Sequence, residues 1–358
     1  MASNEHNNGR IVYSPYAPPS HPEKSQLCPP SEHIHIKHPG SDSTLFTLPR
    51  LDSGGIHHET VRTACAILDD NRWDGFLTLD KHGEHPVPKA ETILRAKIYY
   101  FHTSWPLNDL GYAVTPTFEH WRFPHDNLPP SWRDIASFKQ TSRPESDNYC
   151  RITQFEDGVE DAHLVPSAER QWFNNNMTAY IDSTRADKLK DSDNRVRLRS
   201  DVHSVFDAKR FAIVPIDGRL VVYCMNTKLG SQVERLYHGV ELHRIRDSGY
   251  LGHFLLARFA YTVFERLRAW LESNTSRKLR LRVDNATRVE ICSPERCWRF
   301  AQYTAYQGKS RSVSPKKRPH PDAGAAVDSD DECQWVEAEF RGRKRRRDDP
   351  EVTQRRKR

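Results

Sequence analysis

Hydrophobic residues recur at helical spacing in several parts of the chain. In residues 57–68, HHETVRTACAIL, the aliphatic residues and alanines fall mainly on one face. A longer stripe of aliphatic and aromatic residues runs through residues 250–272, YLGHFLLARFAYTVFERLRAWLE. Both patterns predict helices that bury one face against a core. A further helix is expected over residues 90–105, AETILRAKIYYFHTSW.

Other segments alternate with the period of a strand. VEDAHLVP, residues 159–166, is expected to be a strand that stops before Pro166. In residues 195–199, RVRLR, alternation places two aliphatic residues on one side and three arginines on the other. FAIVPI and RLVVYC flank Asp217-Gly218, and such a pair predicts a two-residue hairpin turn of type I′.

A short helix is expected directly after RVRLR. Ser200 is predicted as its N-cap and Asp201 as part of its first turn. His203 and Asp207 are four residues apart, so on a helix they share one face.

These elements predict an α+β protein with tails at both ends. Mean hydropathy is −0.80 and hydrophobic residues make up 36% of the chain, so part of its length is expected to lie outside a packed core. The predicted parts are a disordered segment at 1–43, a smaller α+β layer at 44–140, a compact domain at 148–226, a helical extension at 227–307 and a disordered basic tail at 308–358.

Positive charge is concentrated at the end of the chain. The net charge is +6, but residues 341–358 alone carry +7, so the other residues sum to −1. Attraction of a polyanion would therefore come from the tail or from a local patch. The seven cysteines are never spaced C-x-x-C, which indicates reduced thiols in a cytosolic or nuclear protein and argues against a zinc ribbon.

Basic runs in the tail predict nuclear import. The alternative is a solvated charged tail, but SPKKRP and RGRKRRR are typical of segments read by an import receptor. A nuclear location is therefore expected, with a cytoplasmic one second. No apolar run approaches the roughly 18 residues of a membrane helix, and the first ten residues are polar, so no membrane is expected as a partner. The import residues are Lys316, Lys317, Arg318, Arg343, Lys344, Arg345, Arg346 and Arg347.

Three polar residues occur in a recognisable order within 148–226. His163 lies near the end of the strand AHLVP, Asn194 precedes RVRLR, and His203 follows Asn194 with eight residues between them. This order, with the HSVFD helix, resembles the HNH, or ββα-metal, endonucleases. The chain looks closest to the fungal branch of that family, because a hairpin and a long helix follow. The resemblance implies a strand, strand, helix core.

The resemblance also implies a chemistry that these residue types can support. A histidine has an ordinary pKa near ~6.5, so His163 is predicted to activate water as a general base. His203 and Asp207 are the predicted ligands of a divalent ion, most plausibly Mg²⁺ and otherwise Mn²⁺ or Zn²⁺. Asn194 is expected to orient His163 or to help position the metal. The predicted substrate is nucleic acid, in particular DNA, and the phosphate contacts assigned to the strand are Arg195, Arg197 and Arg199.

The sequence departs from the family pattern immediately before His163. Many members carry a metal ligand there, whereas this chain has Ala162. Asp161 is on the same strand face as His163 and could contribute to the metal site. Ala162 also favours an alternative function, an inactive HNH scaffold that binds nucleic acid or protein in the nucleus. A third possibility is a chromatin-associated protein that acts through its tail.

Each of these residues also has an ordinary structural interpretation. His163 could be a satisfied core residue and Asn194 the cap of a turn. Asp207 could pair with Lys209 or Arg210. The pattern as a whole favours the nuclease. The sequence gives no oligomeric state.

Overall fold

A computed structural model describes residues 32–41, 43–103, 111–133, 135, 148–181, 187–227, 232–242, 251–283 and 286–307. They form a mixed α+β fold with several small sheets. The strands are β1 His33–Lys37, β2 Thr44–Pro49, β3 Ile56–His57, β4 Phe76–Thr78, β5 Ile93–Leu94, β6 Ile98–His102, β7 Val159–His163, β8 Arg195–Arg199, β9 Phe211–Ile216, β10 Arg219–Cys224, β11 Arg277–Val283 and β12 Ala286–Cys292. The helices are α1 His58–Leu68, α2 Pro130–Arg133, α3 Arg170–Asn176, α4 Ser200–Asp207, α5 Val233–Tyr237, α6 Leu251–Arg266, α7 Arg268–Leu271 and α8 Pro294–Gln307.

The first strand lies in a segment that was expected to be disordered. β1 has the sequence HIHIK, and it pairs with β2 on one side and with β6 on the other. Ile34 and Ile36 are fully buried, so the alternation that makes this short segment a strand also fixes it in the core. The predicted disordered segment 1–43 is therefore wrong for residues 33–37. Residues 1–31 lie outside the described residues.

The helix predicted for residues 90–105 is also wrong. This segment forms β5 and β6, and β6 pairs parallel with β1 and antiparallel with β4. The run Ile98–Phe101 is rich in β-branched and aromatic residues, which suit an interior strand. Neighbouring strands on both sides outweigh the helical spacing of its apolar residues.

The helix at 57–68 and the hairpin after the short helix are confirmed. α1 starts at His58, and the His57 side chain caps it by accepting a hydrogen bond from the Thr60 backbone N–H. β9 and β10 pair antiparallel with Ile216 opposite Arg219. Asp217 and Gly218 have φ of 49° and 73°, as a type I′ turn requires.

The long hydrophobic stripe forms α6 and, after a break at Leu267, the short α7. α6 packs against β9, α1 and α2, so the helical extension shares one hydrophobic core with the residues that precede it. The described residues all belong to one compact unit, and the predicted import residues lie outside them. The domain limits stay predictions.

No helix within the described ranges combines the length and the apolar character needed to cross a membrane.

Candidate functional site

The predicted strands and short helix around the candidate site are present. β7 and β8 pair antiparallel, with His163 opposite Arg195 and Val159 opposite Arg199. α4 follows β8 without a gap and contacts both strands. The predicted N-cap is wrong, because Ser200 is already the first helical residue and Arg199 holds the cap position without a side-chain bond. The Ser200 N–H instead donates to the Gly158 carbonyl, which extends the pairing beside β7.

Alternation divides the side chains of β7 between two faces. Glu160 and Ala162 share one face, whereas Asp161 and His163 share the other. Ala162 is fully buried opposite Val196. Glu160 reaches α4, where its Oε2 lies 2.8 Å from Nδ1 of His203. Glu160 is not among the predicted site residues, although its position two residues before Ala162 already places both on one strand face.

His203 and Asp207 are brought together on α4 as predicted. Nε2 of His203 lies 3.3 Å from Oδ2 of Asp207, and the His203 side chain is only 12% exposed. With Glu160 at Nδ1, each ring nitrogen of His203 faces a carboxylate. An ionised carboxylate only accepts hydrogen bonds, so a neutral His203 ring can donate its single N–H to only one of the two.

The His203–Asp207 pair has the donors and the spacing to hold one divalent ion. Nitrogen and oxygen ligands bind such ions at roughly 2.1 Å, which places adjacent ligands about 3.0–3.5 Å apart. The 3.3 Å between Nε2 and Oδ2 falls in this range. The described part of the chain contains no group of three or more His, Cys, Asp or Glu arranged around a single ion. An ion held by this pair alone would leave positions for water and phosphate oxygens.

His163 lies at the end of β7 with a buried ring nitrogen. Its Nε2 has no hydrogen-bond partner among the described residues. Burial lowers the pKa of His163 below its ordinary value, as does the Arg195 guanidinium; Asp207 acts in the opposite direction. The ring is therefore neutral at pH 7. A neutral imidazole with an unpaired nitrogen can take a proton from water.

Asn194 is fully buried, and its amide bonds to backbone. Oδ1 accepts from the Val165 N–H at 2.8 Å, while Nδ2 donates to the carbonyls of Val165 and Leu189 at 3.1 and 3.0 Å. The Asn194 carbonyl in turn accepts from the Leu164 N–H. Asn194 thus fixes the two residues that follow His163, so its contribution to the site passes through the backbone.

The arginine face of β8 already holds carboxylates. Asp161 bonds both Arg195 and Arg197, at 3.3 and 3.1 Å. Arg199 bonds Asp201 through two nitrogens at 2.7 Å each. Asp161, the predicted additional metal ligand, thus lies with His163 on the arginine face of the β7–β8 pair, away from the Glu160 face. Phosphate binding by the arginines stays a prediction, and it would require exchange of these partners.

A buried arginine from α6 lies beneath α4. Arg258 is 1% exposed, its Nη2 donates to the Phe206 carbonyl, and its guanidinium lies 3.6 Å from the centre of the Phe206 ring. Burial lowers the pKa of Arg258 to about 10, and the neighbouring Asp207 charge opposes that shift. The sequence pattern gave α6 as a packing helix and gave no signal for this contact.

One comparison with known proteins matches the segment that contains these residues. Residues 150–214, from before β7 into β9, match the family model of the HNH endonucleases. The resemblance predicted from His163, Asn194 and His203 is thereby confirmed for this segment, and the match indicates a nuclease that acts on nucleic acid. The fungal branch stays a prediction. Neither the curated proteins nor the solved structures gave a match.

Proposed function

We propose that this protein hydrolyses phosphodiester bonds of DNA, with His163 as the general base and a divalent ion, Mg²⁺ by preference, on His203 and Asp207. The observation that carries the proposal is the His203 ring, held between two carboxylates next to the HNH strand that ends in His163. The β7, β8, α4 arrangement supports a ββα-metal core for the site.

Each of the proposed site residues would have a separate role in the reaction. His163 would take the proton from the attacking water, since its pKa is lowered and its Nε2 is unpaired among the described residues. Asn194 would keep the end of β7 fixed while this happens. Arg195 and Arg197 would exchange Asp161 for phosphate oxygens. The bound ion would stabilise the negative charge that develops on the phosphate and the leaving oxygen.

Replacement of His163 tests the proposal directly. His163→Ala should lower the rate of plasmid nicking with Mg²⁺ or Mn²⁺ by on the order of 10² to 10⁴, the usual contribution of a general base. The protein should remain folded, as far-UV circular dichroism would show. His82→Ala, which removes an exposed histidine in the loop after β4, should nick at the wild-type rate.

The pH profile of nicking should show the same base. Because the pKa of His163 is lowered below its ordinary value of 6.5, the rate should rise with pH, with its midpoint below pH 6.5. A wild-type protein that cuts neither single- nor double-stranded DNA with either ion would refute the proposal. So would full activity in His163→Ala.

The buried Ala162 favours a second candidate, an inactive scaffold. Ala162 offers no donor at the position where related sequences supply a ligand, and the described residues hold no third ligand beside His203 and Asp207. Calorimetric titration with Mn²⁺ separates the two functions. A scaffold should bind Mn²⁺ no more tightly than its His203→Ala variant, whereas the nuclease should bind it more tightly. Nuclear import through the basic tail stays a separate proposal.

A further inference from the structure

Glu160 contacts the proposed metal pair of His203 and Asp207, although it is not one of the residues assigned to the site. Its carboxylate lies 2.8 Å from Nδ1 of His203, on the side of the ring opposite Asp207. The Glu160 side chain is 50% exposed, whereas that of His203 is 12% exposed. A half-exposed glutamate therefore contacts a nearly buried imidazole.

The contact determines which nitrogen of His203 carries the proton. A carboxylate has no proton to give, so a neutral ring can donate its single N–H to Glu160 or to Asp207, but not to both. The 2.8 Å contact to Glu160 is the shorter of the two, so Nδ1 carries the proton and Nε2 presents its lone pair toward Asp207. Without Glu160, Asp207 would be the one carboxylate bonded to the ring. A proton on Nε2 would then be favoured, and it would block the nitrogen that shares an ion with Asp207.

Glu160 lies two residues before Ala162, the position at which a metal ligand is missing. Glu160 and Ala162 share the strand face toward α4, and Ala162 has no group that could contact an ion. The longer side chain two residues earlier reaches His203 instead. Carboxylates that accept from the outer nitrogen of a metal-bound histidine typically contribute 10–100-fold to metal affinity.

We propose that Glu160 is a positioning residue that holds His203 with its proton on Nδ1 and its Nε2 directed at the ion shared with Asp207. This inference rests on the proposed function. It is nevertheless measurable in the metal-free protein, because the proton position on His203 does not require catalysis.

The first measurement is ¹⁵N NMR of the full chain without metal at pH 9, with His203→Ala to assign the signals. Wild-type His203 should carry its proton on Nδ1, and Glu160→Ala should move it to Nε2. Glu160→Gln keeps an acceptor oxygen, so it should retain the proton on Nδ1. Glu156→Ala removes an exposed carboxylate just before β7 and should leave the ring unchanged.

The second measurement is calorimetric titration of the same proteins with Mn²⁺ at pH 7.5. Glu160→Ala should bind Mn²⁺ 10–100-fold more weakly than wild type, Glu160→Gln should bind it with a smaller loss, and Glu156→Ala should bind it normally. An unchanged proton position in Glu160→Ala or undiminished Mn²⁺ binding would each overturn the inference. A wild-type protein that shows the expected proton position and binds Mn²⁺ but does not nick DNA would instead count against the proposed function.

Discussion

At the scale of single residues, Asn194 is a predicted site residue whose side-chain amide bonds to backbone groups. Its amide is fully buried and makes three hydrogen bonds to the backbone of Val165 and Leu189. These bonds join the end of β7, which carries His163, to the start of β8, which carries the arginine face. The residue and its spacing were predicted from the local sequence pattern. The bonds hold the backbone just after β7, so any support that Asn194 gives to His163 would pass through the chain.

Asn194→Ala should lower the free energy of unfolding by on the order of 3 kcal/mol, because it leaves buried backbone groups without partners. Urea unfolding followed by tryptophan fluorescence measures this. Asn175→Ala, at an exposed position on α3, should change stability by less than about 0.5 kcal/mol. Equal effects of the two substitutions would mean that the Asn194 amide is not a structural support.

At the scale of elements, the helix that carries the candidate ligands depends on a helix outside the matched segment. α4 has eight residues, too few to be stable alone. Arg258 of α6 supports its last turn from below, with Nη2 on the Phe206 carbonyl and the guanidinium over the Phe206 ring. Its Nε and Nη1 have no hydrogen-bond partner among the described residues. Packing of the side chain, more than its charge, is therefore expected to stabilise this contact.

Two substitutions of Arg258 separate packing from charge. Arg258→Ala should destabilise the protein by about 3 kcal/mol through the cavity it leaves, whereas Arg258→Met keeps most of the volume and should stay within about 1 kcal/mol of wild type. In the Met variant the amides of residues 207–209 should exchange hydrogen faster, because the bond to the Phe206 carbonyl is lost. Thermal unfolding and hydrogen-exchange mass spectrometry measure these effects. If Met were as damaging as Ala, the charge would be the main support.

At the scale of the whole molecule, buried charges join parts that are far apart in sequence. Glu169, just before α3, is 5% exposed. Lys209, just after α4, bonds Glu265 of α6 at 3.0 Å and lies over the Tyr261 ring. Burial raises the pKa of Glu169 to about 7, although the Lys209 charge opposes the shift. The folded protein therefore keeps a proton on Glu169 that the unfolded chain releases near pH 4.5.

This proton makes stability depend on pH in a defined direction. A raised carboxyl pKa means that the folded state binds more protons between pH 4.5 and 7, so the free energy of unfolding falls as pH rises through that range. Glu169→Gln should remove this loss. Its free energy of unfolding, taken relative to wild type, should be up to about 3 kcal/mol higher at pH 8 than at pH 4. Urea unfolding at both pH values measures the difference. Asp126→Asn, at an exposed site, should show no such gain, and a pH-independent effect of Glu169→Gln would contradict the shift.

Sequence periodicity by itself determined the local parts of the candidate site. It gave β7, β8 and α4, the hairpin after them, and the four-residue spacing that joins His203 to Asp207. Each of these depends on residues that are neighbours in the chain, so the period of the pattern is enough to predict it. The family resemblance of 150–214 followed from the same local motifs.

Only the tertiary structure decided the contacts between distant segments. It placed β1 beside β6, which turned a predicted helix and a predicted disordered segment into neighbouring strands. It brought Glu160 to His203 across 43 residues and Arg258 to Phe206 across 52. Periodicity gives the face on which a side chain lies. Which distant residue meets that face depends on the packing of the whole core, and a single segment does not encode it.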